Sequence, residues 1–293
     1  MTVADTAPRI DGPSTAIDAT PIPTAFRSRP TMIDLLCLIY LVAVAFGALL
    51  APVLPQIDPY TADFSAVLQP PTADHWFGTD STGRSVFDRT VAGARSTLTV
   101  AVMTVLIGVV VGGGLGMAGG YLGGMVDTIV GTLIELLLSL PGLILVLVIV
   151  TLLGPGYLTI GGVISMFMIA PFARIARSAT LAVRDQPYVQ ASRLLGAGTV
   201  RTLVTEVVPT VMPAISAYAF TAVTGAVVAE GSLSFLGFGL QPPAPSWGGL
   251  IAEGRTHIST APWITMAPSL VLCATILAVN LLGQRFSTTR RSS

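Results

Sequence analysis

The sequence predicts an all-α polytopic membrane protein with six transmembrane helices, and three observations carry that expectation. Of its 293 residues, 52% are hydrophobic and only 10% charged, against roughly 25% charged in a soluble globular chain. The mean hydropathy is +0.78. The apolar residues also gather into six separate runs, each close to the ~20 residues a helix needs to cross the hydrocarbon.

Taken in order, residues 1–30 are rich in Pro, Thr, Ala and Asp without an apolar run, which predicts a disordered tail. A signal peptide would place its apolar core nearer the start. A membrane domain is expected over 31–284, with spans at about 32–54, 98–117, 128–153, 158–176, 211–228 and 261–282, and a short tail over 285–293. The second span carries Gly108, Gly112, Gly116, Gly120 and Gly124, a stripe of small residues that lets a second backbone approach closely. Gly114, Gly116 and Gly119 formally match GxGxxG, but no strand precedes them and the dinucleotide reading is set aside.

Orientation follows from arginine, since basic residues near span ends are retained in the cytoplasm. Eleven of the fifteen arginines fall on the side of both termini and of segment 177–209, whereas Arg84, Arg89, Arg95 and Arg255 fall on the other. The termini and segment 177–209 are therefore expected in the cytoplasm, with long external loops at 55–97 and 232–260. Segment 177–209 reads as helix, turn, helix. Gln186 and Pro187 open the first helix, Gly196-Ala197-Gly198 breaks it, and Thr199 to Val208 forms the second, with Pro209 and Pro213 leading into the fifth span. By pattern alone, such a hairpin either docks into a groove on a partner protein or lies in the lipid interface.

Composition also excludes chemistry. All fifteen basic residues are Arg, and without Lys there is no phosphate-binding Walker A loop and no Schiff base. Basic and acidic residues balance at 15 each, giving no signal for nucleic acid. Cys37 and Cys273 lie in apolar runs and read as small buried hydrophobes, and with His75 and His257 they are too scattered for a metal site. An intramembrane hydrolase built on Asp74, His75 and Ser81 has no support in their spacing. An ion-coupled carrier leaves the cytoplasmic hairpin without a purpose.

The hairpin sequence from Tyr188 to Ala197, YVQASRLLGA, followed by Val208-Pro209, resembles the EAA loop of permease subunits of binding-protein-dependent ABC importers. Gln190 stands where that pattern has Glu and Ser192 where it has the second Ala. Two further blocks are similar to the C-type permease subunit of dipeptide, oligopeptide and nickel importers: His75 to Arg89 with Gly93-Ala94-Arg95-Ser96, and Glu230 to Pro243 with Pro245-Ser246-Trp247-Gly248. Ala261-Pro262-Trp263 and Asn280 to Gly283 continue the likeness, while Ser85 and Gln284 depart from usual acidic positions.

The resemblance implies a type I ABC importer permease fold in the bacterial inner membrane, importing di- or oligopeptides, with nickel or another small solute as the alternative. It implies a B-type permease partner, two ATP-binding subunits and an extracytoplasmic solute-binding protein, with ATP and Mg held by the ATPase subunits and no cofactor on this chain. The residues it implies for ATPase coupling are Tyr188, Gln190, Ala191, Ser192, Arg193, Gly196, Ala197, Arg201 and Pro209. Candidates for the pathway or for binding-protein contact are Arg84, Arg89, Glu135, Glu230 and Trp247. Trp76, Trp247 and Trp263 suit a water–bilayer boundary, and Asp80, Arg84, Asp88 and Arg89 are able to pair with one another.

Overall fold

A computed structural model describes residues 32–51, 54 and 57–289. The expected N-terminal tail lies outside them. Helix α1 (Met32–Leu50) buries only Ala48, and its Tyr40 hydroxyl donates to the Val271 carbonyl at 2.8 Å.

Helix α2 (Val86–Ile107) starts at Ser85, whose hydroxyl caps the Asp88 N–H. It passes through a π-helical turn at Gly108–Gly113 into α3 (Gly114–Leu122), making one helix of 37 residues. That helix begins twelve residues ahead of the expected span. The early turns carry Asp88, Arg89 and Arg95, too polar to read as span, yet they are helical because the cap is in place.

The span expected over 128–153 is corrected to two helices, α4 (Gly124–Ser139) and α5 (Gly142–Leu153), bent by 86° at the break. Pro141 disfavours helical backbone at the residue before it, and Leu140 is extended at φ −76, ψ 131. Next come α6 (Tyr157–Val183) and α7 (Pro187–Leu194), then α8 (Thr199–Thr202), a π-helical turn at Leu203–Val207, and α9 (Val208–Phe235). The second arm of the hairpin is therefore continuous with the fifth span over Thr199–Phe235, and Pro209 and Pro213 do not end it. Helix α10 (Trp247–Gly254) lies within the expected second loop, and α11 (Trp263–Thr289) takes in residues expected as tail.

The glycine stripe packs α2–α3 against α6 as far as Gly120, whereas Gly124, expected in the same stripe, opens α4 at φ +54 with nothing within 4 Å of an added Cβ. Ideal Cβ atoms on Gly112 and Gly116 would fall 2.4 Å from the Ile169 carbonyl oxygen and 2.2 Å from that of Ala173. Between these helices and α9, Phe172, Val211 and Ile215 are buried, with the Phe172 and Tyr218 rings edge-to-face at 4.9 Å.

These contacts fix the crossings. Ser96 bonds Tyr157 at 2.8 Å, whereas Gly120 lies against Arg177 and Thr180, so α2–α3 and α6 run parallel. The bent pair α4–α5 must carry the chain back across the molecule. Among the described residues five helices are long and apolar enough to span a membrane, or six with this bent pair counted as one span. Asp34 and Arg285 pair at 3.4 Å, bringing the start of α1 and the end of α11 to one end. Cys273 is exposed, not buried as its apolar surroundings predicted, and Cys37 is intermediate.

Candidate functional site

The hairpin is anchored by few contacts and presents much apolar surface. Pro187 occupies the first turn of α7, where its missing N–H costs nothing. On the inner face of α7, Val189 is fully buried in the cluster that holds Tyr121, Val207 and Val211. Arg193 donates its Nε–H to the Tyr121 hydroxyl at 3.0 Å and lies 4.5 Å over that ring. The Gln190 amide donates to the Asp185 carbonyl, and the Tyr188 hydroxyl reaches Thr210.

The turn closes on itself. Gly196 has φ +83, its N–H donates to the Arg193 carbonyl, and the Ala197 N–H donates to that of Ser192, a Schellman closure of the helix end. This geometry leaves Leu194 and Leu195 89% and 88% exposed at the tip, beside exposed Val200 and Val204. Ser192, Gly196, Ala197 and Arg201 line a shallow concavity with Leu195 and Glu206. Ala191, Arg201 and Pro209 are exposed. All nine residues expected to couple thus lie on one protrusion or at its root. Arg184, donating to the Gly120 carbonyl, and the two-bond Arg177–Asp127 pair tie the neighbouring helix ends together.

The opposite end is a locked polar lobe. Asp80, 1% exposed, accepts from Arg84 Nε at 2.8 Å and Arg89 Nη1 at 2.5 Å, and both arginines also reach Glu253. Burial pushes the Asp80 carboxyl up, but the Thr82 hydroxyl and N–H, the Arg89 charge and the Arg84 N–H together outweigh it and hold it below 3.8. Arg84 and Arg89 therefore clamp the loop to α10. Asp88 does not join this network; its N–H is capped by Ser85.

Two further candidates are buried. Trp247 is fully buried, donating its ring N–H to the Thr90 carbonyl at 2.9 Å, so it is a core residue and not a boundary aromatic. Glu230 is also fully buried and accepts from Thr97 at 2.9 Å and Ser234 at 2.7 Å, which joins α9 to α2. Glu135 is exposed on α4. Of the other tryptophans, Trp76 is exposed and Trp263 donates to the Thr79 carbonyl. Sequence reasoning missed Glu253, Val189 and Tyr121. Only Tyr121 carried a local signal, standing directly after the last packed glycine of the stripe.

Residues 105–289 match the family described as binding-protein-dependent transport system inner membrane component. The chain is 36% identical to the glutathione transport system permease protein GsiD of Shigella flexneri serotype 5b, over 88% of this chain and 84% of that one. It is 36% identical to GsiD of Salmonella typhimurium over 82% of each, and 33% identical to GsiD of Escherichia coli O1:K1 over 88% and 84%. Among solved structures, an inward-facing conformation of the MetNI methionine ABC transporter aligns at TM-score 0.56 and 17% identity, covering 70% of this chain and 96% of that chain. At that identity the likeness concerns the fold.

Proposed function

The chain belongs to the family of binding-protein-dependent transport system inner membrane components, and from that premise we propose that it is one of two permease chains lining the path of an ATP-driven importer of peptides. It is an ABC importer permease of the peptide and glutathione class and performs no bond chemistry itself. Membership implies an ATPase, a partner permease and a binding protein. The GsiD relatives make glutathione, a tripeptide, the first solute to test.

The observation that carries the coupling role is the exposed leucine tip held on a buried valine. A surface this apolar, on a protrusion whose base is packed and whose turn is closed, fits a helix-in-groove contact. A partly exposed Arg193–Tyr121 contact at its base would carry the movement of the ATPase into α3. We place the hairpin and both termini in the cytoplasm on the arginine distribution.

Leu194→Asp combined with Leu195→Asp tests the reading. At such exposed positions a substitution changes folding by about 0.5 kcal/mol or less, so the chain should still reach the membrane and pair with its partner permease. The ATPase subunits should no longer co-purify, and ATP-driven uptake into proteoliposomes should fall at least about tenfold, the factor that 1.4 kcal/mol of lost contact gives. Normal uptake by the double variant would sink the assignment.

A further inference from the structure

At the end away from the hairpin, a cavity of ≈ 870 Å³ opens between the residues after α1 and one face of α2. That volume lies within the roughly 300–1,000 Å³ typical of small-ligand sites. Ala92, Arg95, Ser96 and Thr99 line it, at the i, i+3, i+4, i+7 spacing of a single helix stripe. Asp58 and Tyr157 line it too, and Tyr157 bonds Ser96 to make a hydroxyl wall beside Arg95.

Two opposite charges share this cavity without joining. Among the described residues the ion pairs involve neither Arg95 nor Asp58. Asp58 is exposed and accepts from the Tyr60 and Thr61 N–H groups and the Thr61 hydroxyl. The Thr61 hydroxyl and the two N–H groups hold its carboxyl below 3.8, so it is ionised at neutral pH. Arg95 is exposed although it stands nine residues inside α2, about 13 Å along the axis. Its neighbours Arg84 and Arg89 are locked by carboxylates. An arginine on the polar first turns of α2, ahead of the apolar run, that faces an open cavity and has no carboxylate partner among the described residues presents its guanidinium to an incoming anion.

We infer that this cavity recognises the transported zwitterion on the permease itself, with the Arg95 guanidinium fork taking the carboxylate of a peptide and Asp58 taking its amino group. The inference rests on the proposed import of peptides and adds a selective contact on this chain. A guanidinium presents two parallel N–H groups to a carboxylate, and an amide in place of that carboxylate loses the charge.

The test uses the complete importer in proteoliposomes with its binding protein. Whichever of glutathione and dialanine the wild type takes up is compared with its C-terminal amide, at concentrations where wild-type uptake of both is measurable. Arg95→Gln should lower uptake of the free acid about tenfold and spare the amide, collapsing the preference, and Arg95→Lys should restore part of it. Should Arg95→Gln not assemble, Arg95→Lys carries the same comparison, because it keeps the charge and loses the fork. Equal loss on both solutes overturns the inference, since a lipid phosphate, a contact with the partner permease or a structural role would act so. An unchanged preference overturns it as well. Absence of ATP-driven uptake in the wild type overturns the functional reading, and the inference with it.

Discussion

Asp80 satisfies two buried or half-buried arginines at once, and the outer lobe depends on its charge. Replacing it with Asn leaves Arg89, 3% exposed, with Glu253 as its remaining carboxylate, and breaking a buried pair from one side costs about 3 kcal/mol or more. Asp80→Asn should therefore lower the thermal midpoint of the purified complex; an unchanged midpoint would remove Asp80 from the account. The pH dependence has a definite sign. The folded carboxyl is held below 3.8, so its contribution is complete above that ordinary value and is lost as pH falls through the folded value. Hydrogen-exchange protection over 78–90, relative to the intrinsic rate at each pH, should fall in that acid window and not near neutrality. The sequence offered Arg84 and Arg89 as loop-fixing or partner-facing; in the fold both pair with Asp80 and with Glu253, a residue too distant in sequence to be seen. Trp247 and Glu230 misled for a related reason. Trp247 is buried because α10 packs it against Thr90 and Ala94 of α2, and Glu230 because Thr97 of α2 closes on it, contacts that no local pattern reports.

Helix packing was largely legible because small residues four apart have one efficient use. Gly112→Ala or Gly116→Ala would drive a methyl group into a backbone carbonyl, which cannot swing aside as a side chain can. Each should cost about 1–3 kcal/mol and reduce the amount of assembled permease. Gly114→Ala is the control, since nothing lies within 4 Å of its added Cβ and helix propensity favours Ala by about 1 kcal/mol. Equal assembly of all three variants would contradict the packing of α3 on α6. The break at Leu140-Pro141 was legible in principle through the constraint proline places on its predecessor. The uniform hydrophobicity of 128–153 hid it. The continuity of Thr199–Phe235 ran the other way: Pro209 and Pro213 suggested a boundary, but a π-helical turn at Leu203–Val207 precedes them and the helix continues, as it does through prolines in other spanning helices. Hydropathy locates spans and is silent on polar helical extensions such as Val86 to Thr97.

Across the whole molecule, the parallel run of α2–α3 and α6 separates two chemistries by the length of the bundle. One end carries the apolar hairpin tip of Leu194 and Leu195; the other carries the clamped loops, α10 and the cavity with Arg95. The account assigns the first end to the ATPase subunits and the second to the delivery of solute. Cross-linking tests that division directly. In a chain whose Cys37 and Cys273 are replaced, a cysteine at Leu195 and another at exposed Ser259 are treated separately with a short thiol-reactive photocross-linker in the assembled importer. The account predicts that position 195 captures an ATPase subunit and position 259 the solute-binding protein. Capture of the binding protein from position 195, or of an ATPase subunit from position 259, would contradict it.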